Sequence, residues 1–291
     1  MQDLIAKAEE NVGWVMLVIF LFSMGLAIVE FIWEWRQKKL TRWRLKEMLS
    51  SFMVFIPAEL TQKAANTIFI GSFFVLYNII PWHIPVNGWS VIAAILVIDF
   101  LYYWEHRWEH EIRILWSYHS IHHSSPIYNY TTALRVSFID NFVTWVFYLP
   151  AILMGFHPVI VLLAIAFILG YQFWIHTELI RSMPGWFEFL FNSPSHHRVH
   201  HGSDDIYLDK NYGALLIIWD RMFGTFQKEL HRPTYGLTTP IDTINPVNVH
   251  LYEYKGILKD LRKARNFKEV LGYLFKKPGW KPSKSATLQK A

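Results

Sequence analysis

The stretch NFVTWVFYLPAILMGFHPVIVLLAIAFILGYQFWI, residues 141–175, runs for 35 residues without an Asp, Glu, Lys or Arg. An α-helix rises about 1.5 Å per residue and a hydrocarbon core is about 30 Å thick, so this stretch is too long for one straight crossing. Pro150, Gly155 and Pro158 interrupt it, and proline removes a backbone donor and clashes inside a helix. The pattern predicts a helical hairpin within a membrane.

Three earlier apolar runs, at 12–33, 64–82 and 88–104, predict further membrane crossings. The first contains only Glu30 as a charged residue, the second contains none, and the third contains only Asp99. Of the 291 residues, 53% are hydrophobic and 18% are charged, which is unusual for a water-soluble globule. We therefore expect an all-α fold: a multi-pass transmembrane helical bundle with a cytosolic helical cap.

Basic residues are concentrated at 36–46, with six Lys or Arg and no acid, and at 255–290, with eleven against two acids. Beside apolar spans such runs favour the cytoplasmic face over a nucleic-acid partner. Counting crossings from the first run places 105–140, and everything after 176, on that same face. A bacterial inner membrane is favoured over the endoplasmic reticulum, because the C-terminal ATLQKA holds no recognisable retention signal. Residues 281–291 are expected to be disordered.

Eight histidines form three clusters along the sequence, all on the predicted cytoplasmic face. The first cluster is His106 and His110, the second is His119, His122 and His123, and the third is His197, His200 and His201. Residues three and four apart share one face of a helix, so each cluster can point at one centre. The chain has no cysteine, and eight imidazoles exceed the four ligands of a closed zinc site. Two metal ions that accept nitrogen and higher coordination fit better, and iron fits best. The eight are His106, His110, His119, His122, His123, His197, His200 and His201.

His176, in the sequence QFWIHTE at the end of the predicted hairpin, is expected to be a ninth ligand. Neutral imidazoles leave the charge of two divalent ions uncompensated, so nearby acids should orient the ring N–H groups. Gln172, one turn before His176, could hold a metal-bound water. The candidate acids could equally be ordinary interfacial carboxylates, and Gln172 could be an ordinary helix amide. The candidate acids are Asp99, Glu105, Glu109, Glu111 and Asp140.

The spacing H-x3-H, H-x2-H-H, H-x2-H-H resembles the fatty acid hydroxylase/sterol desaturase superfamily of membrane di-iron enzymes. Segments such as YNYTTALR, NSPSHHRVHHG and DKNYGALLIIWDRMFGTF are most similar to its alkylglycerol monooxygenase branch and bacterial sterol-desaturase-like relatives. The resemblance implies that the eight clustered histidines ligate two iron ions and that a lipid chain enters from the bilayer. His196 falls outside the spacing. Three regions follow: N-terminal transmembrane helices and basic loop (1–91), catalytic domain (92–229) and basic cytosolic tail (230–291).

We therefore predict a membrane di-iron oxygenase that uses O2 and external electrons to hydroxylate a C–H bond of a lipid. No G-x-G-x-x-G turn or P-loop is present, so a separate reductase, or tetrahydrobiopterin as the resemblance implies, should supply the electrons. A sterol or carotenoid hydroxylase or desaturase is an alternative, because ligand spacing specifies the metal and not the substrate. A non-enzymatic metal- or haem-binding membrane protein is the alternative of another class. A lipid headgroup could meet Arg135, Arg198, Lys210 or Asn211.

Overall fold

The computed structural model describes residues 2–282, and within that range the chain is helical, with two isolated β-bridges and no strand. The expected disorder of 281–291 falls, from residue 283 onward, outside the described residues. Short 3₁₀ turns cover Thr132–Leu134 and Thr144–Tyr148. The helices are α1 Gln2–Arg36, α2 Arg42–Ile79, α3 Gly88–Glu111, α4 Arg113–His123, α5 Asp140–Val143, α6 Leu149–Leu153, α7 Pro158–Ile175, α8 Gly185–Leu190, α9 Pro194–His200, α10 Ile218–Phe223, α11 Pro246–Leu261 and α12 Phe267–Phe275.

Three described helices are long and apolar enough to cross a membrane: Leu17–Arg36 within α1, Gly88–Glu111 as α3, and Pro158–Ile175 as α7. The crossings predicted at 12–33 and 88–104 are thus confirmed as candidate spans. The run at 64–82 differs, because it forms only the second half of the 38-residue α2. Polar residues immediately before and within it shorten its apolar length, so α2 is not among the three candidate spans.

The hairpin predicted at 141–175 also differs in its first arm. The chain turns at Gly155, whose φ of 97° suits glycine, and Pro158 opens α7 where its missing N–H is harmless. The residues before the turn, however, form only α5, a 3₁₀ turn and α6, each five residues or fewer. Of the two arms of the predicted hairpin, α7 is therefore the one among the candidate spans.

The bundle is built around α7, which packs against both α3 and α1. A β-carbon on Gly170 of α7 would lie 3.1 Å from the side chain of Ile19, so the glycine permits the close approach of α1. Ala94 and Ile98 of α3 interlock with Ala164 and Ile168 of α7 in the main apolar core. The C-terminal ends of α1, α3 and α7 consequently lie together, and this end of the bundle carries the histidines.

Three of the four residues expected to meet a lipid headgroup are engaged inside the protein. Arg135 is fully buried and donates to the Glu47 carboxylate at 2.5 Å. Arg198 pairs with Glu229, and the side-chain amide of Asn211 donates hydrogen bonds to the backbone carbonyls of two other residues. A buried charge is stable only when it is paired, so these contacts hold the fold and leave no free donor for a headgroup.

Candidate metal centre

The nine predicted histidines meet at one end of the bundle in two adjacent groups. Within each group, one ring nitrogen from every residue lies within 4.8 Å of all the others. All nine belong to one group or the other, whereas His196 belongs to neither. The first histidine group is His106, His110, His119, His123 and His200, and the second is His122, His176, His197 and His201.

Four segments supply these side chains. His106 and His110 lie one turn apart at the end of α3, and the second cluster occupies the last two turns of α4. His176 directly follows the last residue of α7. The third cluster lies on α9, which begins with Pro194 and is capped by the hydroxyl of Ser193. Each segment therefore presents its histidines from a helix end.

Backbone carbonyls orient three of the rings. Nδ1 of His106 donates to the carbonyl of Tyr212 at 2.8 Å, and Nδ1 of His176 donates to that of Gln172 at 2.8 Å. Nδ1 of His200 donates to the carbonyl of Lys210 at 3.0 Å. A carbonyl oxygen can only accept, so Nδ1 carries the proton in all three rings and Nε2 carries the lone pair. This is the arrangement in which an imidazole binds a metal through Nε2.

Glu109 is the predicted acid that contacts a histidine ring. Its carboxylate lies 2.9 Å from Nδ1 of His119, and both side chains are buried. The carboxylate accepts from that nitrogen, so Nε2 of His119 also carries a lone pair directed into the first group. When ionised, Glu109 places negative charge at the edge of a group of neutral imidazoles.

The other predicted supporting residues lie elsewhere. The carboxylate of Asp99 accepts from the backbone N–H groups of Leu215 and Leu216 and from the indole of Trp219, so it holds the segment after Tyr212. Glu105 accepts from the hydroxyl of Tyr148. Glu111 pairs with Arg107 at 3.3 Å.

Gln172 supports the site through its backbone, since its carbonyl accepts from His176. Its side-chain oxygen accepts from the hydroxyl of Tyr102 at 2.9 Å. One carboxylate oxygen of Asp140 is buried without a hydrogen-bond partner among the described residues. Among the predicted supporting side chains, Glu109 is therefore the one that contacts a ring, and main-chain oxygens orient three further rings. The carboxylate of Asp209, which was not predicted, lies 3.8 Å from Nδ1 of His110.

The ring nitrogens fit a metal ion better than they fit one another. Nε2 of His106 lies 3.1 Å from Nε2 of His119, although both carry lone pairs. In the second group, Nε2 of His176 lies 3.1 Å from that of His122 and 2.9 Å from that of His197. Two nitrogens bound to one ion at about 2.1 Å and at right angles are about 3.0 Å apart. Nε2 of His106 and Nε2 of His119 both carry lone pairs, so this pair needs a bound cation. The Nε2 spacings in the second histidine group also match two nitrogens bound to one ion.

Ring nitrogens without a hydrogen-bond partner also indicate a bound metal ion. Among the described residues, Nε2 has no hydrogen-bond partner in four buried histidines, namely His110, His123, His200 and His201. A buried polar atom without a partner costs free energy, typically about 1–3 kcal/mol. Because the four belong to the two groups, a bound metal ion in each group would satisfy them.

Burial keeps these imidazoles neutral. It lowers the pKa of His119 to about 3 and the pKa of His176 to about 4. Burial, helped by neighbouring histidines, also holds the pKa of His122, His123 and His201 well below the usual value. A neutral imidazole offers its lone pair to a metal at pH 7 without first losing a proton.

The chemistry of the candidate ligands narrows the choice of metal ion. Imidazole nitrogen suits iron, copper, nickel and zinc, and the absence of cysteine removes thiolate sites. Five histidines in the first group exceed the four ligands of a closed zinc site, and one such site would leave the second group unexplained. The two groups together suggest iron.

Several supporting groups were not predicted from the sequence. The carbonyls of Tyr212 and Lys210 carry no signal, because every residue has one. Glu30 of α1, which is buried beside Thr177, did carry a signal in the sequence. A lone carboxylate in an apolar span is usually functional. Tyr128 stacks on His176 with ring centroids 5.8 Å apart and donates its hydroxyl to the carbonyl of Ile175.

The fold and the site define a class: a helical membrane protein whose spans end in two adjacent all-histidine groups suited to metal ions. The sequence model of the fatty acid hydroxylase family, described as "Fatty acid hydroxylase", matches residues 91–225. All nine histidines lie inside this match. Residues 91–225 are therefore similar to the fatty acid hydroxylase domain.

Relatives extend the similarity beyond the domain. Alkylglycerol monooxygenase of Xenopus tropicalis is 40% identical over 273 residues, which cover 91% of this chain and 59% of that protein. Ornithine lipid hydroxylase of Rhizobium tropici is 31% identical over 197 residues, 66% of this chain and 55% of its own length. Lathosterol oxidase of Rattus norvegicus is 29% identical over 148 residues, 48% of each protein.

The chain thus spans about half to three fifths of the length of these relatives. All three carry names of enzymes that oxidise lipids. No solved structure matches the chain significantly.

Proposed function

We propose that this chain is a membrane di-iron oxygenase that hydroxylates a C–H bond of a lipid. The observation that carries the proposal is the pair of buried histidine groups, in each of which Nε2 atoms converge to 2.9–3.1 Å. Two iron ions, when bound, supply the reductive activation of O2 and the oxidation of a C–H bond. The names of the relatives, alkylglycerol monooxygenase and ornithine lipid hydroxylase, support a lipid substrate.

The residues divide into two ligand sets. The first histidine group would hold one iron and the second would hold the other, with a neutral nitrogen donor from every histidine. The carbonyls of Tyr212, Lys210 and Gln172 fix ring orientation, and Glu109 offsets part of the metal charge through His119. Burial of the ligands excludes bulk water, which protects reactive species from side reactions.

The lipid substrate approaches from the bilayer, because the site lies where α3 and α7 end. The basic loop at 36–46 supports a cytoplasmic orientation of this end. Electrons come from a separate reductase or a pterin, since the sequence holds no nucleotide-binding motif.

Metal content tests the central step. Protein made in iron-replete cells and purified in detergent without chelators is expected to hold close to two irons per chain and less zinc. A chain that holds no iron, and takes up none on anaerobic reconstitution, would contradict the di-iron proposal. A Soret band would indicate the alternative of a haem protein.

Product analysis tests the substrate. Membranes containing the protein, a reductant and ¹⁸O2 are expected to yield lipids that carry one ¹⁸O atom, detected by mass spectrometry. Ether lipids or other glycerolipids are the expected substrates. A sterol or carotenoid product with unchanged glycerolipids would favour the alternative, which the similarity to lathosterol oxidase supports. Desaturation would appear as a loss of two hydrogens without ¹⁸O.

A further inference from the structure

Helix α12 exposes a continuous apolar stripe on the surface of the C-terminal region. Phe267, Leu271 and Phe275 are 73%, 40% and 57% exposed. They lie four residues apart, so at 3.6 residues per turn they span about 80° of the helix circumference. The opposite face is buried against the protein through Gly272 and Tyr273, which pack on Trp280. The helix is thus held in place with its apolar side outward.

The position of α12 is fixed relative to a membrane span. Lys277, two residues after the helix, lies 3.8 Å from the carboxylate of Glu111, the last residue of α3. The backbone N–H of Arg113 donates to the carbonyl of Lys276 at 3.1 Å. The 24 residues of α3 extend about 36 Å, slightly more than a hydrocarbon core of about 30 Å. Glu111, and with it the end of α12, therefore lies at headgroup level.

The charge around the stripe is positive. Lys268, Lys276 and Lys277 are exposed beside the apolar residues, and Arg262, Lys263 and Arg265 are exposed just before the helix. Three of these cations lie in ion pairs, Lys263 with Asp260, Arg265 with Glu269, and Lys277 with Asp209. The positive charge beside the stripe therefore comes mainly from Lys268, Lys276 and Arg262. This surface is therefore complementary to an anionic one.

We propose that α12 lies in the interface of the membrane that the chain itself spans, with its apolar stripe among the upper acyl chains and its lysines against anionic phospholipid headgroups. An amphipathic helix with a narrow apolar face and basic flanks is the form that binds such a surface. A stripe of three side chains is also much smaller than the roughly 800 Å² per partner of a stable protein interface. The proposal does not depend on the oxygenase function.

The absence of cysteine in the natural sequence makes a direct test simple. Single variants Phe267→Cys, Leu271→Cys and Phe275→Cys are labelled with the fluorophore NBD in nanodiscs of phosphatidylcholine and phosphatidylglycerol. Lys228→Cys, exposed and outside α12, serves as the aqueous reference. Leu21→Cys, 58% exposed within the α1 span, serves as the bilayer reference. The readouts are quenching by aqueous iodide and by a phospholipid with a nitroxide near the headgroup.

At all three α12 positions, we expect iodide quenching at least threefold weaker than at residue 228, together with clear quenching by the nitroxide lipid. Strong iodide quenching, equal to that at residue 228, would overturn the proposal, because the stripe would then face water. Protection from both quenchers would overturn it too, since a second copy or another protein would then cover the stripe.

A charge variant separates the lysines from the apolar contact. Lys268→Gln combined with Lys276→Gln is expected to increase iodide quenching at Leu271→Cys in discs that contain phosphatidylglycerol. The same pair should have little effect in discs of phosphatidylcholine alone. An equal effect in both lipids would show that anionic headgroups are not recognised and would overturn that part of the proposal.

Discussion

The carboxylate of Glu30, in the first membrane span, accepts a hydrogen bond of 2.5 Å from the hydroxyl of Thr177, the residue directly after His176. The same carboxylate accepts from the backbone N–H of Tyr130 at 2.7 Å. One turn later, Glu34 pairs with Arg44 and accepts from the amide of Asn129. Helix α1 lies outside the matched region 91–225, yet it holds the segment that carries His176 of the second histidine group.

Glu30→Ala is expected to weaken the second histidine group. The substitution leaves the buried donors of Thr177 and Tyr130 without an acceptor, at a cost of about 1–3 kcal/mol, and it frees the turn that carries His176. We expect iron content to fall toward one per chain, measured by elemental analysis, and thermal stability to fall. Glu30→Gln, which keeps an acceptor oxygen, should lose less iron. Glu59→Ala, an exposed acid on α2, is the control. Full iron content in Glu30→Ala would refute this role.

His200→Ala and His201→Ala are expected to affect different metal ions, although the residues are adjacent. His200 belongs to the first histidine group and His201 to the second. Each variant should lose about one iron, and the double variant should lose both, with lipid turnover abolished in all three. His250→Ala is the control, because His250 is a buried histidine that contacts the carbonyl of Val54 outside both groups. Iron content that does not change in either single variant would argue against ligation by these residues.

Glu109→Gln is expected to lower iron affinity or turnover by about 10–100-fold. The amide retains an oxygen that can accept from Nδ1 of His119, but the negative charge that offsets the metal is lost. The affinity is measured by competition with a chelator, and Glu59→Gln controls for loss of an exposed acid. Loss of affinity in Glu109→Gln comparable to that in a His119→Ala variant would instead assign Glu109 a role in folding of the site.

Stability of the metal-free protein is expected to fall as the pH falls below about 6.5. Burial depresses the folded-state pKa of His119 to about 3 and of His176 to about 4, below the value of about 6.5 in an unfolded chain. Between these values the unfolded state binds more protons, so lowering the pH favours unfolding by about 1.4 kcal/mol per pH unit for each histidine. Above pH 6.5 these groups contribute no pH dependence.

Denaturant or thermal unfolding of chelator-treated protein between pH 4 and 8 measures this effect. Iron should suppress the fall in stability near pH 6, because bound metal excludes protons from the ring nitrogens. A flat stability profile across pH 5–7 in the metal-free protein would contradict the prediction.

The sequence by itself determined the all-helical membrane character, two of the candidate spans and the nine histidines that meet. These features are local: a span is a run of apolar residues, and H-x3-H places two rings on one face because a helix repeats every 3.6 residues. The hairpin at 141–175 was only partly predictable. Its turn follows from Gly155 and Pro158, whereas the broken first arm depends on packing against α2 and α3.

Only the tertiary structure decided how the histidines divide. His122 and His123 are neighbours, yet they join different groups, as do His200 and His201. Successive residues on a helix point about 100° apart, so each pair can serve two centres, but the partner of each ring depends on where the other helices lie. The same holds for Glu30 and for the carbonyls of Tyr212 and Lys210. The contacts of Glu30 and Tyr212 join residues that are about 100 or more positions apart in the sequence. Local spacing in a sequence does not encode contacts of that range.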